Sequence, residues 1–212
     1  MKNCSVLKNR PKLRSLLSAC AIGLSVAFTE PAHADPVTPP SVPGNIEVPE
    51  GNTAFLEGHG VGTQNYVCLP CTMSATCPSG FAFSLFTPEA TLFKDNGKQI
   101  TTHFFSPNPD EDDKIRATWQ DSKDTSTVWG GDATPSSDPD FVAPGAVAWL
   151  LLPVAGAQAG PTGGETLTKT TFIQRLNTSG GVAPSTGCAS SADVGTRAFV
   201  PYTADYFFYE AQ

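Results

Sequence analysis

Apolar and polar residues alternate in short runs along most of the chain, which is the pattern of half-buried β-strands. Residues 64–68 read QNYVC and residues 81–85 read FAFSL, and both runs follow this two-residue period. From Thr53 onward almost no helical periodicity is present. The alternation therefore predicts an all-β fold.

Turn residues between these runs predict how neighbouring strands pair. Residues 90–93 and 98–105 flank the sequence KDNG, whose Asn-Gly pair accepts the positive φ angles of a tight hairpin. Residues 115–119 and 125–129 flank a second polar turn at 122–124. We expect two antiparallel hairpins at these places.

The apolar run 146–154 predicts a strand that is buried on both faces, because prolines and glycines confine it too tightly for a buried helix. Further strands are predicted at 166–177, 198–201 and 206–209. Short strands with turns at intervals of about 8–12 residues are typical of antiparallel sandwiches and barrels. We predict a single-domain antiparallel β-sandwich or barrel.

The first 34 residues have the order of a secretory signal peptide. A basic segment precedes an uncharged apolar run at 16–28, and Ala32-His33-Ala34 offers the small residues that a signal peptidase recognises. We expect cleavage near Ala34, a poorly ordered, extended, Pro-rich lead-in at 35–52 and a β-domain at 53–212. The protein would then be extracytoplasmic, either secreted or periplasmic.

Two alternatives to cleavage near Ala34 are less consistent with the leader. Its apolar run is short of the roughly 18–20 residues that span a bilayer. The sequence Leu17-Ser18-Ala19-Cys20 resembles a lipoprotein processing site, but most of the apolar run follows Cys20 instead of preceding it. No later segment is long and apolar enough to predict a transmembrane segment.

Removal of the leader makes the protein strongly acidic. The leader holds five of the 13 basic residues and one of the 20 acidic residues, so its removal changes the formal net charge from −7 to −11. Nucleic acids and anionic membranes require basic surfaces. We therefore expect no nucleic-acid partner.

Four cysteines follow the leader, and in an exported protein an even number indicates disulfides. Of the three possible pairings we favour Cys68–Cys188 with Cys71–Cys77, because the short loop between the last two can close on itself. The spacing of Cys68-Leu69-Pro70-Cys71 is also that of a redox motif, but a loop follows it where redox chemistry needs a helix.

A catalytic set is difficult to assemble from the sequence. His103 on a predicted strand is a candidate general base or metal ligand beside Asp121 and Asp124. The alternative is a hydrogen-bonded structural histidine, which we favour because a single histidine lacks partners. The glycine-rich run 58–62 has no βαβ unit around it and indicates close backbone approach. No cofactor is expected.

Two further groups of residues suggest binding. Asp110, Asp112 and Asp113 place carboxylates in one turn and are weak calcium candidates, although their spacing is not that of a calcium loop. Among the aromatic residues, which more often belong to a core, Trp129 and Tyr66 are the candidates to face a ligand.

The chain resembles the domain-of-unknown-function family numbered 3455, found in exported bacterial and fungal proteins. The resemblance rests on GTQNYVC at 62–68, PEATLF at 88–93 with His103 downstream, WLLL at 149–152, IQR at 173–175 with TSGG at 178–181, PSTGC at 184–188 and PYTADYFFY at 201–209. It implies export and a shared fold without an activity. Some fungal members carry the label malate dehydrogenase, which this sequence does not support because it lacks a dinucleotide-binding unit.

These observations favour a non-enzymatic binding or surface-associated module whose partner is a small molecule, a glycan or a protein. One alternative is a hydrolase or metal-assisted enzyme that uses His103 with Asp121 or Asp124. The other alternative is a calcium-stabilised structural module.

Overall fold

The computed structural model describes residues 37–212 and forms them into an antiparallel β-barrel. Three short 3₁₀ turns are present in this part of the chain, at Gly44–Ile46, Pro109–Glu111 and Ser191–Asp193. The strands, in chain order, are β1 (Asn52–Pro70), β2 (Phe81–Phe93), β3 (Gln99–Asn108), β4 (Lys114–Asp121), β5 (Thr127–Gly130), β6 (Thr134–Ser136), β7 (Trp149–Gln158), β8 (Thr170–Gly180) and β9 (Arg197–Ala211).

Eight of the strands form a closed ring. Their order is β5-β4-β3-β2-β1-β9-β8-β7, and β5 pairs again with β7 from Thr127↔Gln158 to Gly130↔Val154. The short strand β6 pairs with the beginning of β7 as an additional ninth strand. The predicted all-β antiparallel fold is confirmed. Of the predicted architectures, sandwich or barrel, the structure is a barrel, because the β5–β7 ladder closes the sheet into a ring.

Both predicted hairpins are present. Gly97 has φ 76° in the turn between β2 and β3, and residues 122–124 lie in the turn between β4 and β5. The predicted segments 198–201 and 206–209 are parts of one long strand, β9. None of the helices within residues 37–212 has the length and apolar character needed to cross a membrane.

One end of the barrel interior is filled with side chains. Because successive strand residues face opposite sides, one of every two residues points inward. At this end the inward side chains are apolar and almost fully buried, and they include Leu92, Ile100, Val128 and Phe208. Leu167, from the connection between β7 and β8, joins the same cluster and is completely buried. This end of the barrel is a conventional core.

The glycine-rich run lies within β1, where it allows the close approach expected from the sequence. Gly60 and Gly62 pair with residues of β2 on one side and β9 on the other. A Cβ atom at Gly62 would lie 2.0 Å from the backbone oxygen of Glu89 and 2.6 Å from Cα of Ala90. Only a residue without a side chain fits at this point of the wall.

The Pro-rich lead-in packs against the outside of the barrel. Ile46 is completely buried in a second apolar cluster with Trp149 and Leu151 of β7, and its backbone oxygen accepts a 2.7 Å hydrogen bond from Nε2 of Gln174. We predicted poor order here, whereas the segment from Val37 to Val48 contributes side chains to this cluster. Packing of the lead-in on the outside of the barrel also explains why β7 is apolar on both faces, as predicted.

Two disulfides connect the long loops to the barrel. Cys68 at the end of β1 is bonded to Cys188, with a Cα–Cα distance of 5.5 Å, and Cys71 is bonded to Cys77. The favoured pairing is confirmed. The first disulfide holds the β8–β9 connection against β1, and an entropic contribution of about 4–5 kcal/mol is expected for a closed loop of this length.

We expect Gly62→Ala to lower the free energy of unfolding by about 2–3 kcal/mol, because the new methyl group would collide with backbone atoms of β2. Gly44→Ala is the matched control, since no atom lies within 4 Å of a Cβ at that position. Urea unfolding of both variants measures the difference. Equal stability of the two variants would contradict the close β1–β2 approach.

Candidate functional site

The other end of the barrel contains a cavity of about 540 Å³. This volume lies within the range of small-molecule sites, about 300–1,000 Å³. Every strand of the closed ring contributes to its wall. Representative contributors are Gln64 and Tyr66 from β1, Pro88 from β2, His103 and Phe105 from β3, Ala117 and Trp119 from β4, Gly130 from β5, Leu152 from β7, Arg175 from β8 and Tyr206 from β9.

Aromatic side chains form the boundary between this cavity and the packed end. Trp119 is 1% exposed, and its ring centroid lies 5.7 Å from that of Tyr206 and 6.2 Å from that of Phe208, both in edge-to-face geometry. His103 stacks on Trp119 with a centroid distance of 4.2 Å and an interplanar angle of 9°. The cavity floor is therefore aromatic and closely packed.

His103 is a neutral member of this floor. Its Nδ1 lies 2.9 Å from the backbone oxygen of Thr118, so Nδ1 carries the proton and donates to this carbonyl. Burial lowers the pKa of His103 to about 3, outweighing the opposite effect of this hydrogen bond. His103 also lines a smaller cavity of about 340 Å³ between β2 and β3. At neutral pH its Nε2 therefore holds a lone pair and no proton.

Three side chains that line the cavity, one each from β1, β4 and β8, have a nitrogen without a hydrogen-bond partner. Nε2 of Gln64, Nε1 of Trp119 and Nε of Arg175 are buried, and none has a partner within the described residues. Burial raises the pKa of Tyr202, and the neighbouring Arg175 and Gln64 lower it. The Gln64 amide therefore lies beside the Tyr202 hydroxyl, although its Nε2 is outside hydrogen-bonding geometry. Buried polar groups in proteins are nearly always paired, so three unpaired donors around one cavity are unusual.

Apolar side chains surround the mouth of the cavity. Leu85, Ile115 and Val182 line it and are 39%, 57% and 47% exposed. Arg116 and Asp132 also lie here, joined by a 2.5 Å ion pair, and Arg116 bonds Glu111 at 2.7 Å as well. Hydrogen bonds from Arg116 and then Asn108 lower the pKa of Glu111 to about 2. Lys114 also pairs with Asp132, at 3.7 Å, so two positive and two negative charges balance at the mouth, and its free surface is apolar.

Asp121 and Asp124 support the turn between β4 and β5. Oδ1 of Asp121 accepts hydrogen bonds from the backbone of Lys123 at 2.8 Å and of Asp124 at 2.9 Å. Asp124 accepts bonds from Ser126 and Thr166; burial raises its pKa, but these bonds outweigh burial and hold it below the usual value. The structure therefore gives both carboxylates structural partners and places His103 against Trp119 and Thr118.

The acidic turn at 110–113 is organised by protein groups. Asn108 caps the short 3₁₀ turn by accepting from the backbone of Asp110 at 3.1 Å, and its side-chain amide donates to Glu111 at 2.9 Å. Asp112 and Asp113 adopt positive φ angles in the turn that follows. Within residues 37–212, the side chains that lie close enough to share a metal ion do not include the calcium candidates Asp110, Asp112 and Asp113.

The two aromatic ligand candidates have different positions. Tyr66 lines the cavity, and its hydroxyl donates to the backbone oxygen of Gly181 at 2.6 Å. Trp129 lies on the opposite side of the wall because its neighbours Val128 and Gly130 face inward. It is 5% exposed, and its Nε1 donates to Oγ of Ser106 at 2.9 Å.

A cluster that sequence reasoning missed lies on the outer face of β1 and β9. His59 bonds Asp205 through Nδ1 at 2.6 Å and Asp95 through Nε2 at 2.7 Å, with Glu57 nearby. The hydrogen bond to Asp205, above all other effects, raises the pKa of His59. Glu57, His59 and Asp205 are close enough to share a metal ion. However, a metal would have to displace a proton from an imidazolium whose two nitrogens are already bonded.

Arg175 and Gln64 were not identified as site residues from the sequence. One signal was present: in the run Ile173-Gln174-Arg175 a two-residue period places Arg175 on the same side as the buried Ile173. Which side faces a cavity depends on closure of the ring by residues far apart in the chain. That information is absent from the local pattern.

The fold and the site together define a class of protein, an eight-stranded antiparallel barrel with an internal cavity open at one end. The chain belongs to the family described as a protein of unknown function, DUF3455, which matches residues 49–210. This confirms the family suggested by the sequence. Comparison with curated proteins and with solved structures gives no match.

We expect His103 to make folding less favourable in acid. Its folded pKa of about 3 lies below its ordinary value near 6.5, so the stability it contributes is complete above pH 6.5 and is lost as pH falls towards 3. The slope from this group is at most about 1.4 kcal/mol per pH unit. His103→Asn keeps a donor for Thr118 but does not titrate, and should therefore flatten the dependence measured by urea unfolding between pH 4 and 7.

His59→Asn is the control, because His59 has the opposite sign. Its raised pKa gives stability that is present at low pH and lost as pH rises through the folded pKa. Because this stability is already complete below pH 6.5, His59→Asn should leave the slope in acid unchanged and should remove only a loss of stability above pH 6.5. An unchanged pH dependence in His103→Asn would contradict the buried neutral histidine.

Proposed function

We propose that the protein is a non-enzymatic binding module that holds a small, mainly apolar molecule in the open end of its barrel. The observation that supports this most is the 540 Å³ cavity, whose wall receives residues from all eight strands of the ring. Eight strands are the number at which a barrel interior is either filled by side chains or holds one small ligand. Here one end is filled and the other is not.

The composition of the wall favours an apolar ligand body. Leu150, Leu152, Phe105 and Pro88 line the cavity beside the aromatic floor. An apolar molecule leaving water for such surface gains roughly 25 cal/mol per Å² buried. The exposed Leu85, Ile115 and Val182 at the mouth would remain in contact with the portion of the ligand that reaches solvent.

The chemistry of the site supports binding without catalysis. Among the described residues, the only imidazole on the cavity floor is a weak base, because burial lowers its pKa to about 3, and its Nδ1–H donates a hydrogen bond to a backbone carbonyl. Asp121 and Asp124, the carboxylates that sequence reasoning associated with it, bond the backbone and hydroxyl groups of their own turn and of Thr166. A general base needs access to a substrate proton, and these carboxylates are held by hydrogen bonds in the β4–β5 turn.

Binding is tested with N-phenyl-1-naphthylamine, an uncharged probe that fluoresces in apolar surroundings. We expect saturable binding of one probe per protein. Ala117→Trp, which places an indole in the cavity, should weaken binding at least about tenfold because the ligand loses its volume. Ala192→Trp, on an exposed 3₁₀ turn, is the matched control and should bind within about twofold of the parent. Absence of saturable binding, or equal weakening by both variants, would contradict the proposal.

We further propose that the module acts outside the cytoplasm. The two disulfides support this, because such bonds persist in oxidising compartments. The leader itself lies outside the described residues.

For the full chain produced in a bacterial host, we expect the mature N-terminus to be Asp35 by intact mass. Ala34→Leu should retain the leader, because the peptidase accepts small side chains at the cleavage site. Acylation at Cys20 or an intact leader in the parent chain would overturn this prediction.

A further inference from the structure

The three unpaired polar groups of the cavity are all donors. An indole and a guanidinium have N–H groups and no acceptor, and the unpaired atom of Gln64 is also its NH₂ nitrogen. Gln64 and Trp119 are only 2% and 1% exposed, and both line the cavity. Leaving a buried donor unpaired is destabilising, because the donor has lost its hydrogen bonds to water and gained none. A ligand that pairs with any of these three groups must therefore present an oxygen acceptor.

Arg175 adds a positive charge that the protein does not neutralise. Within residues 37–212 no carboxylate forms a salt bridge with it; its Nη2 donates to the backbone oxygen of Ala148 at 2.8 Å, and the guanidinium also hydrogen-bonds the neutral side chain of Tyr206. By contrast, Arg116 at the mouth bonds both Glu111 and Asp132. A partly buried arginine without a counter-ion is uncommon in a chain that holds 20 acidic and 13 basic residues.

The groups that face Arg175 from the other strands are neutral. Burial raises the pKa values of Tyr66 on β1 and of Tyr202 and Tyr206 on β9, while Arg175 lowers each of them. His103 on β3 is uncharged, and Asp132 at the mouth is 87% exposed and paired with Arg116. The interior of the cavity therefore has a net charge of +1.

We infer that the cavity binds a carboxylic acid with an apolar body, whose carboxylate pairs with Arg175 beside Gln64 while the body occupies the space between the aromatic floor and the mouth. This inference rests on the proposed function and assigns the class of its ligand. A carboxylate supplies two oxygens and about four lone pairs, enough for Arg175 and Gln64, and it neutralises the guanidinium. No bond is made or broken in this binding.

The test compares decanoate with 1-decanol, which has the same chain length and no charge. Each displaces N-phenyl-1-naphthylamine from the full protein at pH 7. We expect decanoate to bind at least about tenfold more tightly than decanol, because charge-assisted hydrogen bonds exceed the cost of removing the carboxylate from water. Decanol binding as tightly as decanoate, or more tightly, would overturn the inference and leave the proposed function in place.

Substitutions then test whether Arg175 causes the preference for decanoate over decanol. Arg175→Met should weaken decanoate binding about 10–100-fold while decanol stays within about threefold. Arg197→Gln removes an exposed arginine that lies over the Phe86 ring, outside the cavity, and should change neither affinity. Equal effects of Arg175→Met on both ligands, or no effect on either, would overturn the inference.

Gln64→Leu provides a second variant if Arg175→Met does not fold, which loss of circular dichroism would reveal. It removes one donor but no charge, so decanoate binding should weaken several-fold without loss of decanol binding. Unchanged decanoate affinity in this variant would contradict the assignment of Gln64. Failure of N-phenyl-1-naphthylamine to bind the parent protein would instead refute the proposed function itself.

Discussion

Closure of the sheet by the β5–β7 ladder is the constraint on which the rest of the structure depends. Four residue pairs, from Thr127↔Gln158 to Gly130↔Val154, convert an open sheet into a ring. Once the ring is closed, the two-residue period of every strand assigns each side chain to the interior or the outside. The position of Arg175 inside and of His59 outside follows from this assignment.

The interior then divides into two parts of different character. At one end Leu92, Ile100, Val128 and Phe208 interlock, and the connection containing Leu167 covers them. At the other end the walls carry fewer large side chains, and Gly130 and Ala117 leave space. The packed end supplies buried apolar contacts, whereas the open end leaves polar side chains without direct partners.

Much of the fold could be predicted from the sequence, because strand period and turn chemistry are local. The Asn-Gly turn, the apolar strand β7 and the two disulfides are of this kind. The site was less accessible. Tyr66 was singled out and lies in the wall, whereas Trp129 lies on the other side of the sheet. Gln64 and Arg175 meet around one cavity only through the pairing of β1, β9 and β8, which no local pattern records.

The Pro-rich lead-in illustrates the same limit of prediction from local sequence patterns. Proline-rich sequence usually indicates an extended, solvated segment, but Ile46 fills a site between Trp149 and Leu151 that exists only after β7 has joined the ring. The same contact thus explains both the apolar outer face of β7 and the burial of Ile46. The lead-in lies on the outside of the barrel, and the cavity mouth is lined by Leu85, Ile115 and Val182.

The most direct test of the central claim is a crystal structure of the mature protein grown with decanoate. The account predicts a barrel closed between β5 and β7, with density for the ligand above Trp119 and a carboxylate within hydrogen-bond distance of Arg175. A barrel whose open end is filled by its own side chains, or a ligand that avoids the cavity, would contradict it.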